Sequence, residues 1–523
     1  MKEWAKGTVV GTSIDEAIKA IYSKISKQEK IAFICALICG FIAHGYMLTN
    51  KLSFHDDMSA MFGLGSRLEQ GRWFLEILKQ LGDFFSIHVS SAWYNGIVSL
   101  LFLALSSLMT VKIVEIKSDV NAALCGGMIS VFPTVAATFA YMFTAPAYCM
   151  AVLIMCVAVY CVKKQNGIGV VIGGILISVS LGIYQSYIGI FSSLAIIVLI
   201  KNTMQEEKLF PDIMRRFGAF LCSGALGVGL YLSINKIMCH LLNKKSIYGA
   251  TEFEHLPDAL ISSYKNFFNF FKETFYGINP YRGLRYITLF LLCVTIVLFF
   301  YKIFFVNLKV INKVFACFLF MLFPIAINFV YVITMNDVTI HSLMLYPLCY
   351  IFVMFVAMSE MTEKRKSSGK VVTWIYSLGV LAIICAYIKV DNVAYQYCSF
   401  VQEQTMTYYT NLIGTIKNCS GYDDELPVAF LNIERISDDS MPSGDKFNVS
   451  LMALGFDMRQ VVGDYSYKQY LEIHCGYAPS YLEKTELEKI KEHSEVKKMP
   501  CYPDDGSVRI IDNIVVVKFA EKP

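Results

Sequence analysis

Residues 31–57 read IAFICALICGFIAHGYMLTNKLSFHDD: an apolar run to position 49, a short polar step, then Ser53-Phe54-His55-Asp56-Asp57. A helix needs about 20 apolar residues to cross about 30 Å of hydrocarbon, so the run predicts a membrane span with an acidic cluster at its end. Ionisable side chains at a membrane face are costly unless they do chemistry or coordinate something. Adjacent carboxylates beside a histidine therefore point to function.

The rest of the chain repeats the apolar pattern. Of 523 residues 55% are hydrophobic, and mean hydropathy is +0.51, above the roughly 45–50% apolar content of soluble domains. An ordinary soluble protein is excluded. Apolar runs fall at 31–49, 93–111, 120–140, 143–162, 167–183, 186–200, 217–235, 286–304, 312–334, 339–358 and 371–389. The expected fold is mainly α: a polytopic membrane helical bundle of about eleven spans, followed by a small C-terminal α/β domain. The decisive pair is 167–200, one long apolar stretch read as two short helices turning at Gly182-Ile183-Tyr184-Gln185-Ser186-Tyr187. If it were a single helix, every later loop would change sides.

Charge distribution supports two helices. With the N-terminus inside, the inner connections carry Lys112, Lys117, Lys163, Lys164, Lys201, Lys208, Arg215, Arg216, Lys302, Lys309, Lys313 and the cluster from Lys364 to Lys370. The short connections near 141–143, 184–187 and 335–338 carry no Lys or Arg, the asymmetry of the positive-inside rule. Residues 1–30 then form a cytoplasmic segment, with Ile14, Ile18, Ile21 and Ile25 at helical spacing for an amphipathic helix on the inner leaflet. The segment is polar and lacks a signal-peptide cleavage pattern. Residues 31–389 form the membrane domain. Loops 50–92 and 236–285, together with 390–523, then lie on the outer side of the membrane.

The C-terminal segment changes character. Residues 427–433 are strand-like, 483–493 helical, and 509–519 resemble a hairpin turning at Asp512-Asn513. Most of the 16 cysteines sit in spans as small apolar residues, and none has metal-ligand spacing. Cys398, Cys419, Cys475 and Cys501 permit three disulfide pairings in an oxidising compartment.

Four constellations could carry chemistry. In the first outer loop, His55, Asp56 and Asp57 precede a helical pattern at Phe74, Ile77, Leu78 and Leu81, with Arg67 and Arg72 between. A carboxylate base beside cations, at membrane depth, suits transfer from a lipid phosphate: the carboxylate deprotonates an acceptor hydroxyl and a guanidinium steadies the departing phosphate. Alternatively the two aspartates cap the following helix. At the turn between two spans, Tyr184, Gln185 and Tyr187 could bind sugar hydroxyls or stack on a pyranose, or serve as interfacial anchors. In the second long loop, a Phe-rich stretch lies beside Arg282 and Arg285, which border a span and are candidates for donor phosphate binding because guanidinium binds phosphate bidentately. In the short turn before the tenth span, Asp337 and His341 could contact sugar or acceptor.

A first span, a Ser-Phe-His-Asp-Asp loop, a Gly71-Arg72-Trp73 segment, the Tyr184-Gln185-Ser186-Tyr187 turn and a C-terminal outer domain together resemble the bacterial Gtr-type glucosyltransferases of the glucosyltransferase II family, integral-membrane enzymes similar to the GT-C class. The resemblance covers roughly 30–390 and is weak beyond. It implies transfer of a hexose, glucose by resemblance alone, from a polyprenyl-phosphate-linked donor to a cell-surface glycan such as O-antigen on the outer face. It carries an acidic base onto Asp56 or Asp57 without choosing between them.

Two other readings compete: a lipid-linked sugar flippase or transporter, and an outer-face glycan polymerase. A transporter should place binding groups near the midplane and show repeats; charges here sit mostly at span ends and no repeat is visible. A polymerase would rest on basic residues of later loops. His55, Asp56 and Asp57 could ligate a divalent cation, Mg or Mn; the arginines can already neutralise a monophosphate leaving group, so an obligatory metal is not expected. The partners expected are donor, glycan acceptor and lipid bilayer, with no nucleic acid.

Overall fold

The computed structural model describes residues 13–50, 52, 54–63, 67–87, 89–164, 167–205, 209–245, 255–305, 307–334, 339–362, 367–433, 436, 441 and 443–521. Asp337 lies outside these residues. The apolar runs become helices. After α1 (Ile14–Ser23) come α2 (Lys27–Thr49), the short α3 (His55–Ser59), α4 (Trp73–Phe84), α5 (Ala92–Val114), α6 (Asp119–Val131), α7 (Thr134–Phe139) and α8 (Ala145–Lys163). There follow α9 (Gly167–Leu181), α10 (Ile188–Thr203), α11 (Phe210–Leu241), α12 (Leu256–Lys272), α13 (Arg282–Phe305), α14 (Val310–Ile327), α15 (Phe329–Thr334), α16 (Tyr350–Glu360) and α17 (Ser367–Lys417).

Ten helical stretches among the described residues are long and apolar enough to cross a membrane, and α9 is a shorter apolar helix. This is a multi-pass membrane protein built as a helical bundle. One span is interrupted between α6 and α7, where Phe132 turns extended before Pro133; proline disfavours helical backbone in the residue before it and lacks a donor of its own.

The pair α9 and α10 forms a full hairpin. Lys163 and Lys201, at opposite ends of the stretch in question, both reach the turn after α5: the Lys163 Nζ is 2.6 Å from Glu115 Oε1, and the Lys201 Nζ is 2.6 Å from the Val114 carbonyl. The chain therefore leaves one end of the bundle and returns to it. The 15 residues of α9 rise only about 22 Å, short of the hydrocarbon thickness. The turn at its far end is accordingly recessed, with Gly182, Ile183 and Tyr184 buried.

Lipid tails are as apolar as leucine, so packing and hydrogen bonds, rather than water exclusion, hold membrane helices together. The polar knot joining α2, α6 and α17 shows this. His44 has no exposed surface; its Nδ1 lies 2.8 Å from the Tyr395 hydroxyl and its Nε2 2.8 Å from the Ser130 carbonyl. Tyr346 donates to the Ile129 carbonyl at 2.8 Å, and Tyr387 to Asn279 at 2.9 Å.

The apolar part of α17 is the last span, but the helix continues as one rod to Lys417 and carries the C-terminal domain. There β1 (Val428–Leu431) runs parallel to β3 (Ile514–Lys518), which pairs antiparallel with β2 (Val508–Ile511), giving the order β1-β3-β2. Asp512 and Asn513 turn the β2–β3 hairpin, both at positive φ. Helices α19 (Tyr467–Cys475) and α20 (Lys484–Lys491) pack against β1, with Tyr467 meeting Phe430 at 5.5 Å, while α18 (Gly444–Phe447) packs on α17 through Phe447. Cys398, Cys419, Cys475 and Cys501 are free thiols.

Candidate active site

The loop after α2 places its two carboxylates differently. Helix α3 begins after Phe54 with no side-chain cap, so neither aspartate caps it. Consecutive helical residues point about 100° apart, and here one carboxylate turns inward and the other toward the open side. Asp57 is 5% exposed and its Oδ1 accepts from the Phe143 backbone N–H at 2.9 Å. It ties the first loop to the turn before α8. The Asp56 side chain is 20% exposed. Its Oδ1 receives His55 Nδ1 at 3.1 Å and the Tyr465 hydroxyl, while its Oδ2 has no partner among the described residues.

Three aromatic contacts hold this arrangement. Phe54 stacks on Phe456 at 3.9 Å between centroids and meets Tyr141 edge-on at 4.8 Å; the His55 ring meets Tyr465 at 5.5 Å. Residues 456–465 of the C-terminal domain thus close over the first loop. Burial alone would raise the Asp56 carboxyl. The hydrogen bonds from His55 and Tyr465 and the charges of His55 and Arg67 outweigh it and hold the group below the usual carboxylate range. Burial and the Asp56 charge push the Tyr141 phenol up, against the pull of Arg72 and Arg67. Tyr141 thus stands in the field of Asp56 and both arginines.

The Gly71-Arg72-Trp73 segment docks on the recessed turn after α9. The first N–H groups of a helix need acceptors from outside it, and in α4 those of Phe74 and Leu75 find the Gly182 carbonyl, at 2.9 and 3.3 Å. Gly182 has no side chain because Trp73 covers it: a Cβ there would sit 2.5 Å from Trp73 Cε2. Gly71 adopts φ 77°, and a Cβ on it would overlap the Tyr231 hydroxyl. Gln185 bonds the Gln70 carbonyl and, at 3.0 Å, the Tyr231 hydroxyl. Arg72 donates to the Tyr148 hydroxyl at 2.9 Å and lies 5.1 Å from the Tyr184 ring centroid, with Tyr148 and Tyr184 stacked at 4.7 Å.

Two sequence-predicted clusters, around Asp56 and around Tyr184, therefore meet near Tyr141 and Arg72. Tyr187 is 1% exposed and packs against Tyr148, Tyr184 and Tyr346, so it supports the turn from behind. Arg282 is exposed at the start of α13, and Arg285 donates to the Lys272 carbonyl at 2.8 Å; neither joins the contacts described around Asp56. His341 is exposed just before the tenth span. Among the described residues no three His, Cys, Asp or Glu side chains converge as metal ligands.

Sequence reasoning passed over Tyr465, Tyr148, Tyr141, Gln70 and Tyr231. Tyr148 and Tyr141 were within reach, since tyrosines at a span end are natural partners for an arginine close to them.

A family model described as Glucosyl transferase GtrII matches residues 45–358, more than half of the chain. The match takes in Asp56, Arg72 and Tyr184 and stops before α17 and Tyr465. No curated protein and no solved structure matches.

Proposed function

We propose, from the premise that this chain belongs to the glucosyl transferase GtrII family, that it moves a glucosyl group from a polyprenyl-phosphate-linked donor to a cell-surface glycan on the outer face of a bacterial cell membrane. The family makes it a glycosyltransferase; donor, acceptor and side are this proposal. The observation that carries the mechanism is the asymmetry of Asp56: one carboxylate oxygen is held by His55 and Tyr465, and the other has no partner among the described residues.

In this reading Asp56 Oδ2 takes the proton of an acceptor hydroxyl as that oxygen attacks the anomeric carbon. The bond from that carbon to the phosphate oxygen breaks, and polyprenyl phosphate leaves carrying the bonding electrons. Arg72, fixed between Tyr148 and Tyr184, and the exposed Arg67 supply positive charge for the departing phosphate. Asp57 serves as the anchor of the loop. Tyr184 and Gln185 line the turn against which the sugar would rest. Arg282 and Arg285 are a second phosphate candidate, at the start of α13.

The test is transfer of labelled glucose from purified polyprenyl-phosphate glucose to glycan, with the protein in sealed vesicles. Label appearing in glycan supports the reading. Label that only changes leaflet, with the donor intact, makes the protein a flippase.

A further inference from the structure

The C-terminal domain does more than supply Tyr465. Its residues 443–466 touch several loops at the Asp56 end of the bundle: the Ala453 backbone abuts Gly277, Gly455 abuts Ser342, and Phe456 stacks on Phe54. These residues also border a half-open hollow of about 680 Å³, lined by Ser443, Asp445, Lys446, Phe447, Ser450 and Arg459 among others. The volume falls within the roughly 300–1,000 Å³ of small-molecule sites.

The chemistry of the lining is specific in kind. Lys446 and Arg459 are donors, Asp445 is an acceptor, Ser443 and Ser450 are both, and Phe447 offers a ring. Many neutral hydroxyls on a ring with one apolar face would satisfy that set; a purely apolar ligand would not. The site is also stiff. Asp457 grips the Arg459 guanidinium through two bonds, Nε to Oδ1 at 3.0 Å and Nη2 to Oδ2 at 2.8 Å, and Phe447 rests on Tyr397 and Phe400 of α17 at 5.5 and 5.4 Å.

Arg459 follows Phe456 by three residues, at most about 10 Å of chain, and Phe456 lies on Phe54, two residues before Asp56. We infer that this hollow is a saccharide subsite that holds the acceptor glycan behind its reacting end, so that the C-terminal domain selects the acceptor while the membrane domain performs the transfer. The inference rests on the proposed transferase reading.

The probe is the set of short oligosaccharides released by mild acid from the surface polysaccharide of the producing cell. Their binding to the full-length protein in nanodiscs is read by saturation-transfer NMR, beside transfer kinetics. Asp445 and Lys446 are exposed, so the double variant Asp445→Ala, Lys446→Ala is expected to fold. It should bind the oligosaccharides at least about tenfold more weakly, the size expected from losing charge-assisted hydrogen bonds. Acceptor KM should rise by a similar factor, with donor KM and kcat at saturating acceptor unchanged. Equal binding and equal acceptor KM in variant and wild type overturn the subsite. Binding that is lost in the variant supports the subsite even where no transfer is detected, and then it is the transferase reading that falls. Wild-type protein that transfers sugar to glycan without binding these oligosaccharides overturns the subsite alone.

Discussion

Tyr465 donates to Oδ1 of Asp56 across 409 positions of sequence, and the same hydroxyl lies against His55 Nδ1. A residue of the C-terminal domain, beyond the family match, thus holds the carboxylate at the centre of the site. A base works only when ionised, so its contribution is present above its pKa and falls as pH drops through it. Tyr465 is one of the groups that lower the Asp56 carboxyl. In Tyr465→Phe the carboxyl rises toward its ordinary value, and the acid limb of kcat/KM moves to higher pH while activity near neutrality is largely kept. A pH profile identical to wild type would show that Tyr465 does not act on the base.

Gly182 tests the docking of the first loop on the recessed turn. A methyl group there meets Trp73 at 2.5 Å, so the indole must shift and Arg72 beside it shifts too. Misplacement of a positioning group by about 1 Å can reduce turnover about 100-fold. Gly182→Ala should insert at normal abundance and lose activity on that scale. Wild-type turnover would mean that Arg72 is not held in place by this contact.

Much of the architecture was legible because a membrane span is written locally, as a run of apolar residues of fixed length. The hairpin at Asp512-Asn513 was legible for a similar reason, since Asp and Asn tolerate the left-handed backbone both residues adopt. The site was legible in pieces. The Gly71-Arg72-Trp73 segment and the Tyr184 turn were each visible, but their meeting depends on how deep the short α9 leaves its turn, a property of packing. The choice between Asp56 and Asp57 depends on which of two adjacent residues faces Phe143, which no spacing reveals. Tyr465 lies in a loop without periodicity, far along the chain, and had no signal at all.

On the proposed function a donor phosphate has two candidate sites, and kinetics can separate them. Arg72 sits between Tyr148 and Tyr184 in the group around Asp56, whereas Arg285 is bonded to the Lys272 carbonyl and Arg282 is exposed. Arg72→Ala should raise donor KM about tenfold or more, as expected for the loss of a charge-assisted contact, and more than Arg282→Ala or Arg285→Ala does. The reverse ranking would move the phosphate to the start of α13.

Stability of the bundle rests in part on the polar knot at His44. The Tyr395 hydroxyl is the partner of Nδ1 on a ring with no exposed surface. Leaving a buried polar atom unpaired costs about 1–3 kcal/mol. Tyr395→Phe should therefore melt several degrees lower in detergent, with the activity of the folded fraction unchanged. An unaltered melting temperature would show that water or a neighbour replaces the hydroxyl.

The two adjacent aspartates give the sharpest contrast. An acceptor hydroxyl is a poor nucleophile at neutral pH, and a positioned general base contributes about 10²–10⁴-fold. Asp56→Asn keeps the shape of the side chain and can still accept from Tyr465, but it cannot take up a proton. Turnover should fall by that factor while the protein still inserts and binds donor. Asp57 is different: its oxygen accepts from the Phe143 N–H, and the amide oxygen of Asn can do the same. Asp57→Asn should retain most activity, whereas Asp57→Ala, which leaves that N–H without its acceptor, should lower stability by about 1–3 kcal/mol and activity only through loss of folded protein. Transfer assays and melting curves on the three variants decide the matter. Full turnover in Asp56→Asn would remove the catalytic assignment, and loss confined to Asp57→Asn at normal stability would transfer it to the buried neighbour.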